Sequence, residues 1–112
     1  MTRLISRLVF LLMAALVCGA PLVQAQSDTC KQGYVWREAY AGDHVCVPPA
    51  TRAQTAADNA AAARRRVSAH SDTCKEGYVW RQARPRDHVC VPPATRQQAE
   101  EDNAAAARRR AH

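Results

Sequence analysis

The stretch Asp43-His44-Val45-Cys46, repeated as Asp87-His88-Val89-Cys90, sets a carboxylate, an imidazole and a thiol close together. Two chemistries draw on such a set. An aspartate that hydrogen-bonds a histidine makes an acid–base pair, and histidine with cysteine can hold zinc or copper(I). Spacing argues against the first. Neighbouring residues of a strand point to opposite faces, so Asp43 cannot orient the imidazole beside it and is better suited to close a turn. His44 and Cys46 do share a face, and two copies offer His44, Cys46, His88 and Cys90 as a metal set. The cysteine spacing, with Cys30 and then Cys46, is nevertheless not that of zinc ligands, and oxidising conditions consume thiols. The serines Ser27, Ser68 and Ser71 lie in linker-like stretches without an activating base. The expectation is therefore a non-enzymatic protein without a cofactor, and metal binding by the four His and Cys residues is the alternative.

Two further groups could make contacts. Trp36-Arg37 and Trp80-Arg81 combine the residue types that dominate binding hot spots, with Arg52 or Arg96 able to stack on an indole. The simpler expectation is that both tryptophans fill the core. The runs Arg64-Arg65-Arg66 and Arg108-Arg109-Arg110 admit three readings: a solvated helix end, a contact with an anionic polymer, lipid headgroup or nucleic acid, or a processing site. A helix without large apolar side chains is a poor membrane inserter.

The elements that must position these residues start after residue 25. Arg3 and Arg7, the apolar run from Leu8 to Val17, and Val23-Gln24-Ala25 make a signal peptide over 1–25. The run is too short to span a bilayer. Val17 before Cys18 disfavours a lipidated cysteine. Secretion or a periplasmic location follows. Beyond the signal there is no Leu, Ile, Met or Phe, only seven valines, two tryptophans and three tyrosines as large apolar residues. A unit of ~40 residues with so little to bury needs a staple, and one disulfide closing a loop of about fifteen residues supplies ~3 kcal/mol in the chain-entropy model. Cys30, Cys46, Cys74 and Cys90 allow three pairings. Residues 27–66 and 71–110 differ at only nine positions (32, 38, 40–42, 53 and 55–57, each against the residue 44 further on). Repeat logic then favours Cys30–Cys46 and Cys74–Cys90, because crosswise bonds would make two near-identical units exchange partners.

Two repeats follow, 27–70 and 71–112. Within each, Tyr34–Ala39 and His44–Val47 read as strands around a turn at Tyr40–Asp43, with Ala39 opposite His44 and Cys46 opposite Arg37. Gly33 suits the fold-back that brings Cys30 to Cys46. Pro48-Pro49 ends the sheet and opens a helix over 50–66, with Asp58-Asn59 as its weak spot. The fold class is a small α+β disulfide-stapled repeat, each unit a short β-hairpin followed by an Ala-rich α-helix, the two behaving as separate beads.

The pattern C-x3-GYVWREA-x3-DHVCVPPATR followed by a helix ending near DN resembles a motif of uncharacterised secreted bacterial proteins. The resemblance implies export and a disulfide-bearing module, and it carries no activity. After the signal, 14 basic residues (16 less Arg3 and Arg7) face 10 acidic ones, an excess of +4. That mild excess lacks the basic stripe of specific nucleic-acid recognition. The expected function is that of a small exported binding or structural module contacting an anionic envelope polymer or surface.

Overall fold

The computed structural model describes residues 28–112, so the expected signal segment, Cys18 and Ser27 lie outside the described residues. Each unit begins with the expected fold-back: the Tyr34 N–H donates to the Lys31 carbonyl at 3.1 Å, and Gly33 takes the left-handed backbone of that turn at φ +94°. The chain continues as β1, Val35–Trp36, antiparallel to β2, Cys46–Val47. The second unit repeats this as β3, Val79–Trp80, and β4, Cys90–Val91. Disulfides join Cys30 to Cys46 and Cys74 to Cys90, the pairing that the repeat favours.

The hairpin tip closes as expected, with the Asp43 N–H on the Tyr40 carbonyl at 3.1 Å. The strand register does not: Trp36, rather than Arg37, faces Cys46. The slip arises at Glu38, which sits at φ 56°, and at its counterpart Gln82 at φ 53°. The pairing runs Arg37 N–H to Val45 O and then Glu38 N–H to Asp43 O, taking up one residue. A non-glycine residue in this region costs roughly 1–2 kcal/mol. The Asp43 carboxylate offsets that cost by accepting from Ala39 N–H at 2.9 Å, Val45 N–H at 3.3 Å and the Arg37 side chain.

Proline at its first turn starts each helix, α1 over Pro49–Ala61 and α2 over Pro93–Ala105. Both are shorter than the expected span. A 3-10 turn follows at Ala63–Arg65 and Ala107–Arg109, and Arg66 and Arg110 are already extended. Asp58-Asn59 is no weak spot. Asp58 and Asp102 are fully buried within regular helix, and each accepts from a glutamine one turn earlier and from an arginine of the following 3-10 turn.

The alternation along the first strand holds, but its two faces are reversed from expectation. Arg37 and Ala39 point inward with Val47, whereas Trp36 remains 38% exposed and Trp80 37%. The apolar core consists of small residues: Val47, Val91, the cystine sulfurs of Cys46 and Cys90, and alanines such as Ala61 and Ala105. An indole does not fit so thin a layer. The remaining interior is charged: Arg37, Asp43, Arg81 and Asp87 are buried beside the valines.

The two units are interlocked rather than beaded. Arg66 bridges Cys74, with Val67 N–H on Thr73 O at 3.0 Å and Lys75 N–H on Arg65 O at 2.8 Å. The same seam recurs between the far ends of the described chain. Cys30 bridges Arg110, with Lys31 N–H on Arg109 O and Ala111 N–H on Thr29 O, both at 2.8 Å. Each unit's last segment thus pairs with the other unit's first.

Candidate functional site

Cys30 and Cys46 bring together the residues two positions before them. These are Asp28 and His44, and the Asp28 carboxylate lies 3.0 Å from His44 Nδ1. The Asp28 carbonyl also accepts from Trp36 Nε1 at 2.8 Å. The imidazole lies flat on the indole, with ring centroids 3.9 Å apart and an interplanar angle of 19°. The second unit repeats the arrangement with Asp72, His88 and Trp80: 3.0 Å, 2.8 Å, and centroids 4.0 Å apart. The adjacent Asp43 does not orient His44, as the alternation requires, but the carboxylate that does so comes from 16 residues upstream. Its signal in the sequence is the matched offset of Asp28 and His44 from their cysteines, which becomes informative once the disulfide is assigned.

The two platforms are outward-facing. Each stacks an imidazole on an indole that remains more than a third exposed. Shallow surface beside Trp36 includes Tyr34, Thr29 and Arg52. Arg52 does not stack on the indole; it pairs with Glu38 at 2.6 Å. Glutamine at 82 leaves Arg96 without that carboxylate.

Arg37 and Arg81, expected beside the tryptophans as recognition groups, face the opposite way. Arg37 binds Asp43 through two nitrogens at 2.7 and 3.2 Å, and its third nitrogen donates to Asn103 Oδ1 of the other unit at 3.0 Å. Arg81 does the same with Asp87 and Asn59, and it adds a bond to the Ala39 carbonyl at 3.3 Å. Asn59 and Asn103 in turn hold Ala39 O and Ala83 O of their own hairpin tips. These are structural knots between units. Burial alone would raise the Asp87 carboxyl; the Arg81 hydrogen bond and charge, with the Ala83 and Val89 N–H groups, outweigh it and hold it below its ordinary value of 3.8.

The arginine runs divide by position. Arg64 and Arg108 are exposed. Arg65 pairs with Asp58 at 2.9 Å, donates to Cys90 O at 3.2 Å and lies over the Tyr78 ring, 5.0 Å from its centre. Arg109 mirrors it with Asp102, Cys46 O and Tyr34. The middle arginine is therefore committed to the fold and not to a surface. Arg66 and Arg110 are half-buried, each with a buried Nε–H that has no partner.

A groove of about 310 Å³ lies between the first halves of α1 and α2, lined in near-symmetry by Thr51, Gln54 and Thr95, Gln98, with Arg37 and Arg81 beneath. The metal set expected as the alternative is dismantled: Cys46 and Cys90 are bound as disulfides and have no thiolate to offer. Among the described residues no group of three or more His, Cys, Asp or Glu is placed to hold a metal ion.

What these features define is a disulfide-stapled α+β protein of two similar units, with a charged interior and aromatic stacks on its surface. No protein-family profile, curated protein or solved structure matches the chain.

Proposed function

We propose that this is an exported, non-enzymatic binding module that contacts an anionic polymer or surface of the cell envelope. The two disulfides in so small a core suit an oxidising compartment, and no described helix is long and apolar enough to cross a membrane. The observation that carries the reading is how charge divides between interior and surface. Four acidic residues, Asp43, Asp58, Asp87 and Asp102, are paired inside with Arg37, Arg65, Arg81 and Arg109. Removing those four pairs from 14 basic and 10 acidic residues leaves 10 against 6 toward solvent. Exposed Arg64, Arg84, Arg86 and Arg108 have no carboxylate partner among the described residues.

Retention of the oxidised exported chain on a phosphate-bearing matrix, followed as chloride rises, tests this. Electrostatic contact requires elution at a salt concentration that falls in Arg64→Gln/Arg108→Gln, a variant that spares the structural Arg65 and Arg109. A chain that passes through the matrix at low salt would overturn the proposal.

A further inference from the structure

The two units differ most sharply at the hairpin tip, where Tyr40-Ala41-Gly42 in the first becomes Arg84-Pro85-Arg86 in the second. The change alters the backbone as well as the charge. Gly42 sits at φ +85°, the third-position geometry of a type II turn, whereas Arg86 is not in the left-handed region. Pro85 instead presets its turn, closed by the Asp87 N–H on the Arg84 carbonyl at 3.0 Å. This tip borders a pocket of about 380 Å³ between the units, into which Arg66, Arg84 and Arg86 converge beside His88.

The pocket's polar groups are in an unusual state. The buried Nε–H of Arg66 has no hydrogen-bond partner, and a buried donor left unmade costs of order 1–3 kcal/mol. The Arg84 guanidinium is laid over the Tyr40 ring, 3.9 Å from its centre, which fixes its plane. Of the two carboxylates at the pocket, Asp87 is bound to Arg81, and one oxygen of Asp72 lies 3.0 Å from His88 Nδ1. Three guanidinium groups thus line one cavity, and none of them forms an ion pair among the described residues. At the equivalent place around Arg110, Tyr40 and Gly42 stand where Arg84 and Arg86 do here, so among the described residues the convergence exists once.

The geometry points to a discrete binding site for a phosphate-type oxyanion, held by Arg66, Arg84 and Arg86. Planar forked donors match tetrahedral oxyanions two bonds at a time, and an anion here would supply the charge partner that the three guanidinium groups lack. The inference rests on the anionic-partner reading and narrows it, from diffuse surface attraction to one stoichiometric site that needs both units.

Inorganic pyrophosphate is the probe, titrated calorimetrically into the oxidised exported chain at fixed chloride. One site per chain is expected. Exchanging the second tip for the first, R84Y/P85A/R86G, replaces it with a sequence that already forms this hairpin in the same molecule, and it weakens binding about tenfold or more. Arg66→Gln weakens it similarly, and Arg110→Gln, its counterpart in the other unit, leaves it unchanged. Phosphatidic acid vesicles that displace pyrophosphate identify a lipid headgroup as the source of the ligand, and vesicles that do not identify a soluble or polymer-borne phosphate; both results retain the site. Absence of pyrophosphate binding, or equal binding by the tip exchange and the parent, overturns it. If the chain is retained on the matrix but blind to pyrophosphate, the site falls while the anionic-surface reading stands; loss of both removes both.

Discussion

Asp43 and Asp87 do the work that apolar side chains do in larger cores. Each carboxylate gathers an arginine fork and two backbone N–H groups at the tip of a hairpin, and so fixes a turn, a left-handed residue and a buried charge together. A buried pair of this kind is strongly destabilising to break, by about 3–5 kcal/mol, because the surviving charge has no partner. The Asp87 carboxyl is lowered in the folded protein, so its ionised form is favoured there over the unfolded chain, where aspartate titrates near ~3.9. Its contribution is complete above that value and disappears as pH falls through the folded one. Denaturant midpoints measured from pH 7 downward should hold steady to about pH 4 and then drop. Asp87→Asn should be weaker at neutral pH and show a shallower acid decline. A parent midpoint that is flat through pH 3 contradicts this. At this scale the sequence was partly legible. Alternation separates Asp43 from His44 correctly, yet nothing local shows that Arg37 faces inward, because arginine beside tryptophan reads as surface chemistry until the thinness of the valine layer is known.

Among the elements, the segment after each helix is the most informative. Three identical letters, Arg64-Arg65-Arg66, take three different environments because a 3-10 turn and then an extended residue rotate successive side chains by unequal steps. Arg65→Gln removes an ion pair, a carbonyl contact with the other unit and a tyrosine stack, and should cost roughly 3 kcal/mol. Arg64→Gln should stay within about 0.5 kcal/mol. Urea melts of the two variants check the contrast, and equal losses would mean that Arg65 is as solvated as its neighbour. Hairpin, proline-started helix and fold-back at Gly33 could all be read in advance, since each rests on local backbone preference. The helix end at Ala61 could not. Alanine and arginine both favour continuation, and the helix stops because Arg65 and Arg66 are drawn to the neighbouring unit.

For the whole molecule, the seams and the Asn59–Arg81 and Asn103–Arg37 knots tie the stability of one unit to the other. Reduction or a Cys30→Ser/Cys46→Ser pair should therefore loosen both units in one transition, and amide exchange should rise around Trp80 as well as Trp36. Two separable transitions would restore the picture of beads. A tandem repeat conceals this coupling: when two copies are nearly identical, every contact within a unit has a possible twin between units, and the sequence has no letter that chooses. The disulfides do pair within units, whereas the backbone seams pair between them.

Those seams bear on how such a chain could arise. Cys30 meets Arg110 as Arg66 meets Cys74, so a single ancestral unit would have carried both halves of one self-complementary joint, satisfied by a second identical molecule. Duplication within the gene would then have converted a homodimer into one polypeptide, removing the concentration dependence of assembly. It would also have released the two halves from sharing every substitution. Tyr40 on one side and Arg84 on the other are such a difference, and the two stack ring against guanidinium. A strictly symmetric pair would have had to place like against like at both positions.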